Sequence, residues 1–477
     1  MNILLINPPS FNELMGNNPS IIESERGYNP PLGLLFLAGY LLEKTAHKVY
    51  VIDSQVEELT YDTLEQRIKN IDFEVVGITA MTFTLIDVIK TINIVKKIKP
   101  ESKLVLGGPH VNIYARETIN IKGVDFVVLG EGEKIFAKLI DNIYDFKKLK
   151  NIKGLVYKNK DGTIVHTGLP DLISENELNK LPFPKRELTP YKKYTSILAK
   201  RTPITTLFTS RGCPYKCSFC NRPHLGSRFR AMSAERVVQE IEECLNLGIN
   251  EFLVYDDTFT VRRDRVKKIC DLIIKKDLDI GFDIRARVDT LDEELLQLLK
   301  KAGCRGIHYG IEAGTEKILK VLRKGITLQK AKEIFELTKK YKIQTLAYFM
   351  IGSPEETIED IFETFRVSKW LKPDFIHMTI LTPFPATDIY IQGLSNGVFK
   401  NDVWKKFAKN PDENFEPPCW EENFTRQELE KLLIKGYKTF YTRPSYIIKN
   451  LFKISSFGEF KRKIKAGLKV IFMRKTK

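Results

Sequence analysis

Three cysteines at a short, unequal spacing are the residues of this chain that most directly indicate chemistry. Cys213, Cys217 and Cys220 lie in the segment RGCPYKCSFC, residues 211–220. Cysteine thiolates are the standard protein ligands of iron–sulfur clusters, and three ligands on a 4Fe–4S cluster leave one iron open to an exogenous molecule. A structural zinc site needs a fourth Cys or His, for which His224 is the only near candidate. The spacing therefore favours a 4Fe–4S cluster over zinc or a disulfide.

The elements that must position these cysteines form a regular alternation from about residue 204 to residue 385. Helical patterns occur at 234–247, 292–302 and 331–341, and six strand-like runs accompany them, at 206–210, 251–259, 280–289, 306–313, 344–352 and 374–383. Such a succession indicates a parallel sheet closing toward a barrel, with chemistry at the carboxyl ends of its strands. The cysteines follow the first strand, so their loop is predicted at that end.

The N-terminal third has the pattern of a separate α/β domain. Its strand-like runs lie at 3–7, 48–53, 75–79, 103–107 and 125–129. This is a doubly wound pattern, whose ligands bind beyond the strand ends. Glycines end two of these strands, in GGPH (107–110) and LGEGE (129–133), and allow close approach of a large flat ligand. No GxGxxG follows the first strand, so a dinucleotide site is not predicted. Ordinary βα turns would use the same glycines, and both interpretations stay open.

Four segments are predicted along the chain. They are an α/β domain at 1–145, a hairpin and linker at 146–198, the barrel core at 199–420, and a helical basic extension at 421–477. The hairpin is predicted at 154–168, around a Lys-Asp-Gly turn. In the extension, 427–441 has an amphipathic helical pattern, and 457–477 mixes apolar residues with many Lys and Arg.

Composition sets limits on partners and compartment. The formal net charge of +16 suits nucleic acid, anionic lipid or an acidic substrate, and it equally suits a solvated lysine-rich surface. Seven cysteines, an odd number, favour a reducing compartment over a disulfide framework. Cys244 and Cys270 lie on apolar helix faces and are predicted to be core residues. The chain begins with a strand, and no apolar run reaches the roughly 18 residues of a membrane span. We therefore expect a cytoplasmic protein.

An α/β domain directly before these cysteines resembles the cobalamin (B12)-binding radical S-adenosylmethionine (SAM) enzymes, and in particular their class B methyltransferases. GGPH at 107–110, LGEGE at 129–133 and PPLGLLFLAGYL at 30–41 look like that family's signatures, and the resemblance covers residue 1 to about 450. It implies a Rossmann-like cobalamin domain, a partial (β/α)6 TIM-type barrel and a helical C-terminal extension. The implied cofactors are a 4Fe–4S cluster, SAM and cobalamin.

The resemblance also implies how cobalamin is bound. Many cobalamin proteins have Asp-x-His-x-x-Gly, but none of the six histidines here has Asp two residues before it. Cobalamin is therefore expected with its base off and without a His ligand. His110 is a minor ligand candidate, and a polar turn residue is the favoured interpretation of it. The implied cobalamin contacts are Thr79, Met81, Gly107, Gly108, Pro109, His110 and Glu131.

The implied SAM contacts are carried over one motif at a time. The family's Gly-Gly-Glu is absent after the second strand, where YDDTF (255–259) stands instead, so either Asp256 or Asp257 is the candidate for the SAM ammonium. Arg285 and Arg287 lie on one side of the third strand, and one of them is the candidate for the SAM carboxylate. The remaining implied contacts are Phe219 and Gly352 with adenine, and Glu312 of GIEAG with the ribose or the methionyl amine.

Two reactions fit the resemblance. The first is methylation of an unactivated carbon in a small molecule, lipid or natural product, in which a 5′-deoxyadenosyl radical activates the substrate and cobalamin supplies the methyl group. The alternative is an oxidative cyclase or carbon-skeleton enzyme of the same build that transfers no methyl group. An RNA-modifying enzyme is disfavoured because all seven cysteines lie at 213 or later, which leaves the N-terminal domain without cluster ligands. A non-enzymatic cobalamin carrier would not need the three cysteines.

The predicted partners follow from the same resemblance and from the charge. The cluster needs a low-potential electron donor of the flavodoxin or ferredoxin type. The basic segment 457–477 suits peripheral contact with anionic lipid at the inner face of the membrane. A basic helix packed on the barrel would have the same composition and is slightly favoured.

Overall fold

The computed structural model describes residues 1–14, 27–196 and 199–451, and two large parallel sheets dominate these residues. The fifteen strands are β1 Asn2–Asn7, β2 Lys48–Asp53, β3 Val75–Thr79, β4 Lys103–Gly107, β5 Phe126–Val128, β6 Leu155–Lys158, β7 Ile164–His166, β8 Ile204–Leu207, β9 Ser210–Arg211, β10 Arg230–Ala231, β11 Glu251–Val254, β12 Gly281–Ala286, β13 Cys304–Glu312, β14 Gln344–Ile351 and β15 Phe375–Ile380.

Helices connect and cover these strands. They are α1 Leu32–Lys44, α2 Tyr61–Lys69, α3 Leu85–Ile98, α4 Ala115–Thr118, α5 Gly132–Asp141, α6 Phe146–Leu149, α7 Glu175–Leu178, α8 Ala234–Asn246, α9 Arg263–Lys275, α10 Glu293–Lys301, α11 Glu316–Val321, α12 Leu328–Lys340, α13 Ile358–Trp370, α14 Asp388–Ser395, α15 Val403–Lys409, α16 Arg426–Tyr441 and α17 Pro444–Leu451. No helix among the described residues has both the length and the apolar character that a membrane span requires.

The N-terminal sheet has the strand order β2-β1-β3-β4-β5-β6-β7, and β1 to β5 are parallel. The doubly wound fold predicted for this domain is confirmed. Helices cover both faces of this sheet, so alternate residues of β1 pack into two separate hydrophobic cores. Ile3 and Leu5 belong to the core on one face, and Leu4 and Ile6 to the core on the other. The predicted hairpin forms as β6 and β7, and it extends this sheet antiparallel to β5 instead of standing apart from it.

The second sheet has the order β15-β14-β13-β12-β11-β8, with every neighbouring pair parallel. Six parallel strands with helices outside them confirm the predicted (β/α)6 partial barrel. Cys244 and Cys270 are fully buried between the helices and the sheet, as expected of core residues. The predicted helix at 427–441 is confirmed as α16, whereas the basic segment 457–477 lies outside the described residues.

The two domains are in direct contact. After the barrel, α14 and α15 turn back onto the N-terminal domain and bury an aromatic cluster against α3 and α4. On the other side of the interface, the Tyr194 hydroxyl donates to the carboxylate of Asp53 at 2.7 Å, at the carboxyl end of β2. The carboxyl edge of the N-terminal sheet therefore faces the barrel domain.

Candidate active site

The cysteine loop is closed by a short ribbon at the carboxyl end of β8. β9 and β10 pair antiparallel, and residues 212–229 form the loop between them. Gly212 begins the loop at φ +78°, and a Cβ there would lie 2.4 Å from the carbonyl oxygen of Arg228, so only glycine fits. Within the loop Cys213 is buried, Cys217 is half-buried and Cys220 is exposed. The three thiols thus lie on one loop that opens outward.

Positive side chains surround these thiols. Arg222 Nη1 lies 2.9 Å from Cys220 Sγ, and Arg222 Nη2 donates to the carbonyl oxygens of Cys213 and Tyr215 at 3.2 and 3.1 Å. Burial raises the pKa of the Cys217 thiol, whereas the charges of Lys324 and Arg287 lower it. These cations stabilise negative charge on the sulfur atoms.

Asp256 holds the residues that lead into the cysteine loop. Its carboxylate accepts four hydrogen bonds, from the backbone N–H groups of Thr209 (2.6 Å) and Ser210 (3.1 Å) and from both their hydroxyls (2.6 Å each). Of the two candidates predicted for the SAM ammonium, Asp256 therefore has its acceptor positions occupied by the protein. Asp257 is exposed and lies 3.7 Å from Arg222.

The two predicted arginines have different surroundings. Arg287 donates to Asp289 at 2.9 and 2.8 Å and to the Lys324 carbonyl oxygen at 2.7 Å, which leaves only Nη1 without a partner. Arg285 stacks over the Tyr255 ring at 4.1 Å and has no hydrogen bond to any described residue. Its guanidinium is therefore the one available to a carboxylate.

Glu312 ends β13 in an unusual conformation. Its φ is +75°, and its carboxylate accepts a hydrogen bond from Lys324 Nζ at 2.8 Å, with both side chains buried. Gly352 directly follows the next strand, β14, and its N–H donates to the buried carboxylate of Glu356 at 2.5 Å. Burial raises the pKa of Glu356 to about 7. Phe219 is half-buried and packs against the barrel core.

A row of polar side chains on the concave face of the barrel was not predicted as a site. His308 Nδ1 lies 3.2 Å from the Tyr348 hydroxyl and its Nε2 lies 3.7 Å from Asp283. The Tyr348 ring also contacts the ring of His377, its register partner on β15, with a centroid separation of 5.5 Å. The signal was present in the sequence, because period-two alternation places these residues opposite the buried Ile307, Tyr309, Ala347, Phe349, Ile376 and Met378.

Small residues and open space mark the carboxyl edge of the N-terminal sheet. Thr79 and Gly107 are register partners at the ends of β3 and β4, and Met81 is 39% exposed just beyond them. A Cβ on Gly107 would meet no atom nearer than 3.9 Å. Gly108 has φ +102°, and a Cβ there would lie 2.7 Å from the Ala80 carbonyl oxygen; Pro109 follows it and precedes a short 3₁₀ turn. We call Thr79, Met81 and Gly107–Pro109 the glycine edge.

Two further residues predicted to contact cobalamin are buried. His110 has no exposed surface, and its Nδ1 lies 3.1 Å from the Thr82 hydroxyl. Burial lowers the pKa of His110 to about 4. Glu131 points toward the barrel, and both of its carboxylate oxygens are bonded there, to Arg211 and Arg230. Both carboxylate oxygens of Glu131 are thus occupied by arginines, whereas the buried Nε2 of His110 has no hydrogen-bond partner among the described residues; a contact of either side chain with cobalamin stays a prediction.

Comparison with known proteins agrees with this architecture. The radical SAM superfamily matches residues 207–367, and the B12 binding domain matches residues 20–140. A protein of Pyrococcus horikoshii named as an uncharacterized methyltransferase is 34% identical over 476 residues, which is 99% of each chain. The chain belongs to the cobalamin-binding radical SAM enzymes.

Further similarities fit this membership. The anaerobic magnesium-protoporphyrin IX monomethyl ester cyclase of Rubrivivax gelatinosus is 28% identical over 427 residues, or 88% of this chain and 75% of that protein. The radical SAM methyltransferase TsrM of Kitasatospora setae, solved with cobalamin and a 4Fe–4S cluster, has a TM-score of 0.68 at 19% identity, covering 83% of this chain and 78% of that one. The structural similarity to TsrM shows that the two proteins share a fold.

As a cobalamin-binding radical SAM enzyme, the protein uses a 4Fe–4S cluster, SAM and cobalamin. The donor set fits the cluster, because three thiols lie on one loop among compensating cations and a cluster bound through three cysteines keeps one iron for SAM. The open glycine edge fits a flat ligand such as cobalamin.

Proposed function

We propose that this cobalamin-binding radical SAM enzyme transfers a methyl group from SAM to an unactivated carbon of a small molecule. The observation that supports this most strongly is the contact between the two cofactor regions. Arg211, two residues before Cys213, donates to Glu131 and Glu133 directly after β5. A cluster on the cysteine loop and cobalamin on the glycine edge would therefore share one cleft. The relative in Pyrococcus horikoshii that matches over 99% of both chains is named as a methyltransferase, which supports the same reaction.

The residues proposed to hold SAM are those with available polar groups near the cysteine loop. Asp257 would accept a hydrogen bond from the SAM ammonium, and Arg285 would bind the carboxylate through its planar fork. Glu312, held by Lys324, would face the ribose. Phe219 and Gly352 would contact adenine, and the glycine edge would contact the corrin ring of cobalamin.

The concave face of the barrel supports a substrate with hydrogen-bonding groups. Asp283, His308, Tyr348 and His377 line this face, and Arg285 lies beside His308 as its register partner. Asp283, His308 and Tyr348 contact one another, and an apolar molecule buried against them would remove water from their remaining donor and acceptor positions, at a cost of about 1–3 kcal/mol for each position left unsatisfied. We therefore propose that a polar part of the substrate enters the barrel.

Two partners are proposed from the charge of the chain. A flavodoxin or ferredoxin type donor would reduce the cluster, and the net charge of +16 suits an acidic protein of that kind. The basic segment 457–477 is proposed to contact anionic lipid at the inner face of the membrane, which its composition supports.

The test uses anaerobic, cluster-reconstituted protein given hydroxocobalamin and a low-potential reductant. It is incubated with trideuteromethyl-labelled SAM and the small-molecule extract of cells that contain the protein. We expect S-adenosylhomocysteine and 5′-deoxyadenosine together, with a product that bears the labelled methyl group. Cys217→Ala should abolish 5′-deoxyadenosine formation, whereas the matched variant Cys419→Ala, remote from the loop in sequence, should retain it.

A second candidate reaction is favoured by the cyclase of Rubrivivax gelatinosus, which matches 88% of this chain. A cyclase of the same build would form 5′-deoxyadenosine and convert its substrate without adding the labelled methyl group. That result, with no S-adenosylhomocysteine produced, would contradict methyl transfer and establish the alternative.

A further inference from the structure

The ribbon that closes the cysteine loop presents two like charges to each other. Arg211 on β9 and Arg230 on β10 are direct cross-strand partners. Each strand is only two residues long, so few backbone bonds hold the ribbon together. Like charges directly opposite on an antiparallel pair destabilise it. The ribbon therefore requires an external source of negative charge.

The N-terminal domain supplies that charge. Arg211 Nη1 lies 2.8 Å from Glu131 Oε1, and Arg211 Nη2 lies 2.6 Å from Glu133 Oε1. Arg230 Nη1 lies 2.6 Å from Glu131 Oε2, which also accepts a hydrogen bond from the backbone N–H of Ile173 at 2.8 Å. Each of the four charged side chains is at most 10% exposed. Glu131 thus bridges both arginines; it lies in the loop after β5, and Glu133 lies in the first turn of α5.

Removing one member of this cluster would be disruptive. Two charges taken out of water are stable only while they are paired and hydrogen-bonded. Losing a carboxylate would leave a guanidinium buried and partly unpaired, two residues before Cys213. The loop would then shift to expose that arginine. By contrast, a less buried pair such as Lys134–Glu177, with side chains 35% and 43% exposed, contributes less because solvent screens it.

The same cluster is connected to the glycine edge by hydrogen bonds. The N–H of Gly130, immediately before Glu131, donates to Asn112 Oδ1 at 2.7 Å. The Asn112 Nδ2 group donates to the carbonyl oxygen of Gly108 at 2.9 Å. Asn112 therefore links the turn after β4 to the loop after β5. A continuous set of contacts runs from the glycine edge through Asn112, Glu131 and Arg211 to the cysteine loop.

We propose that Glu131 and Glu133 are positioning residues that fix the cysteine loop on the N-terminal domain, and that Asn112 couples occupancy of the glycine edge to SAM binding. This inference rests on the proposed function only in taking the glycine edge as the cobalamin site. A ligand that orders the glycine edge would order the cysteine loop through these contacts. Linkage is reciprocal, so SAM would strengthen cobalamin binding by the same factor.

The first test is Glu133→Gln, which removes the charge and keeps the shape, with Glu177→Gln, at a half-buried ion pair, as the control. Both variants are purified anaerobically and reconstituted. We expect Glu133→Gln to bind hydroxocobalamin normally, to bind SAM about tenfold more weakly and to change the EPR spectrum of the reduced cluster. Glu133→Asp should restore the spectrum in part, and Glu177→Gln should match the wild type. A folded Glu133→Gln protein with wild-type SAM affinity and EPR spectrum would overturn the positioning role.

The second test measures coupling and does not depend on that variant folding. The SAM dissociation constant is measured with and without hydroxocobalamin in the wild type and in Asn112→Ala. We expect hydroxocobalamin to tighten SAM binding about fivefold or more in the wild type, and to have no such effect in Asn112→Ala. If hydroxocobalamin changed the SAM dissociation constant by the same factor in the wild type and in Asn112→Ala, the coupling would be overturned.

Both tests are independent of methyl transfer. A wild-type protein that forms no S-adenosylhomocysteine would refute the proposed reaction and leave these binding results intact. A wild-type protein that does not retain hydroxocobalamin would refute the coupling, and the effect of Glu133→Gln on the cluster spectrum would still decide the positioning role.

Discussion

At the scale of single residues, adjacent acids of one motif have separate tasks. Asp256 and Asp257 are neighbours at the end of β11, yet one is buried under the cysteine loop and the other is exposed. Asp256 uses its charge to hold the backbone and hydroxyl groups of Thr209 and Ser210. Asp257 has no such bonds among the described residues, so its charge is available to a ligand.

These two acids make a matched pair for mutation. Asp256→Ala leaves two backbone N–H groups and two hydroxyls without their acceptor, so we expect the free energy of unfolding to fall by about 3 kcal/mol. Iron retention should fall with it. Asp257→Asn should change the unfolding free energy by less than about 0.5 kcal/mol and weaken SAM binding about tenfold. Guanidinium denaturation and titration calorimetry measure both quantities. If Asp256→Ala weakened SAM binding without loss of stability and Asp257→Asn left SAM binding unchanged, the SAM ammonium would be assigned to Asp256.

His110 gives the protein a defined pH dependence. Burial lowers the pKa of His110 from 6.5 to about 4, so the unfolded chain takes up the additional proton between these values. Stability is therefore complete above pH 6.5 and falls as the pH drops toward 4, by up to about 3 kcal/mol. Denaturation at several pH values should show a smaller fall for His110→Phe than for the wild type. An exposed histidine, His166, provides the control variant His166→Gln. An unchanged slope in His110→Phe would show that His110 titrates normally.

At the scale of elements, α16 protects an open edge of the barrel. Tyr437 and Tyr441 are one helical turn apart, and each hydroxyl bonds both the N–H and the C=O of one β15 residue at 2.9–3.0 Å. Tyr437 bonds the backbone of Met378, and Tyr441 bonds the backbone of Ile376. Unpaired backbone groups on an edge strand promote pairing with other chains, so these hydroxyls take the place of a seventh strand.

We expect the double variant Tyr437→Phe/Tyr441→Phe to be less stable by about 1–3 kcal/mol for each hydroxyl. It should also self-associate, because four backbone groups of β15 lose their partners. Chemical denaturation and sedimentation velocity measure the two effects. Tyr144→Phe, at a 65% exposed position, is the control. A monomeric double variant of wild-type stability would show that α16 covers the edge through its apolar contacts alone.

The strands and helices were largely predictable from the sequence, whereas the contacts between residues distant in sequence were not. Both sheets followed from apolar runs, because helices cover both faces of the N-terminal sheet and the outer face of the barrel sheet. The cysteine loop followed from its spacing and from the strand before it. The bond between Glu131 and Arg211 joins residues 80 positions apart in separate domains, and no local pattern indicates it. His110 was expected as a polar turn residue and does begin a 3₁₀ turn, but its complete burial could not be predicted for the same reason, because it depends on how α4 and this turn pack.

At the scale of the whole molecule, the region after the barrel ties the two domains together. Trp404 of α15 is fully buried, and its indole N–H donates to the carbonyl oxygen of Pro383 at 2.8 Å. The cluster around it combines Leu85, Ile86 and Tyr114 of the N-terminal domain with Tyr390, Phe399, Phe407 and Trp420. Apolar burial of this kind makes the unfolding of one domain depend on the other, and it keeps the glycine edge beside the cysteine loop.

We therefore expect Trp404→Ala to separate the unfolding of the two domains. Truncating a buried Trp costs about 3–5 kcal/mol, and here that loss falls on a cluster that both domains share. Calorimetry of the apoprotein should show one transition for the wild type and two for Trp404→Ala. Phe335→Ala is the matched control, because Phe335 packs on Tyr309 inside the barrel domain alone, with ring centroids 4.9 Å apart. It should lower the transition temperature without splitting the transition. A single shifted transition in both variants would show that the contacts of Glu131 and Glu133 with Arg211 and Arg230 suffice to couple the domains.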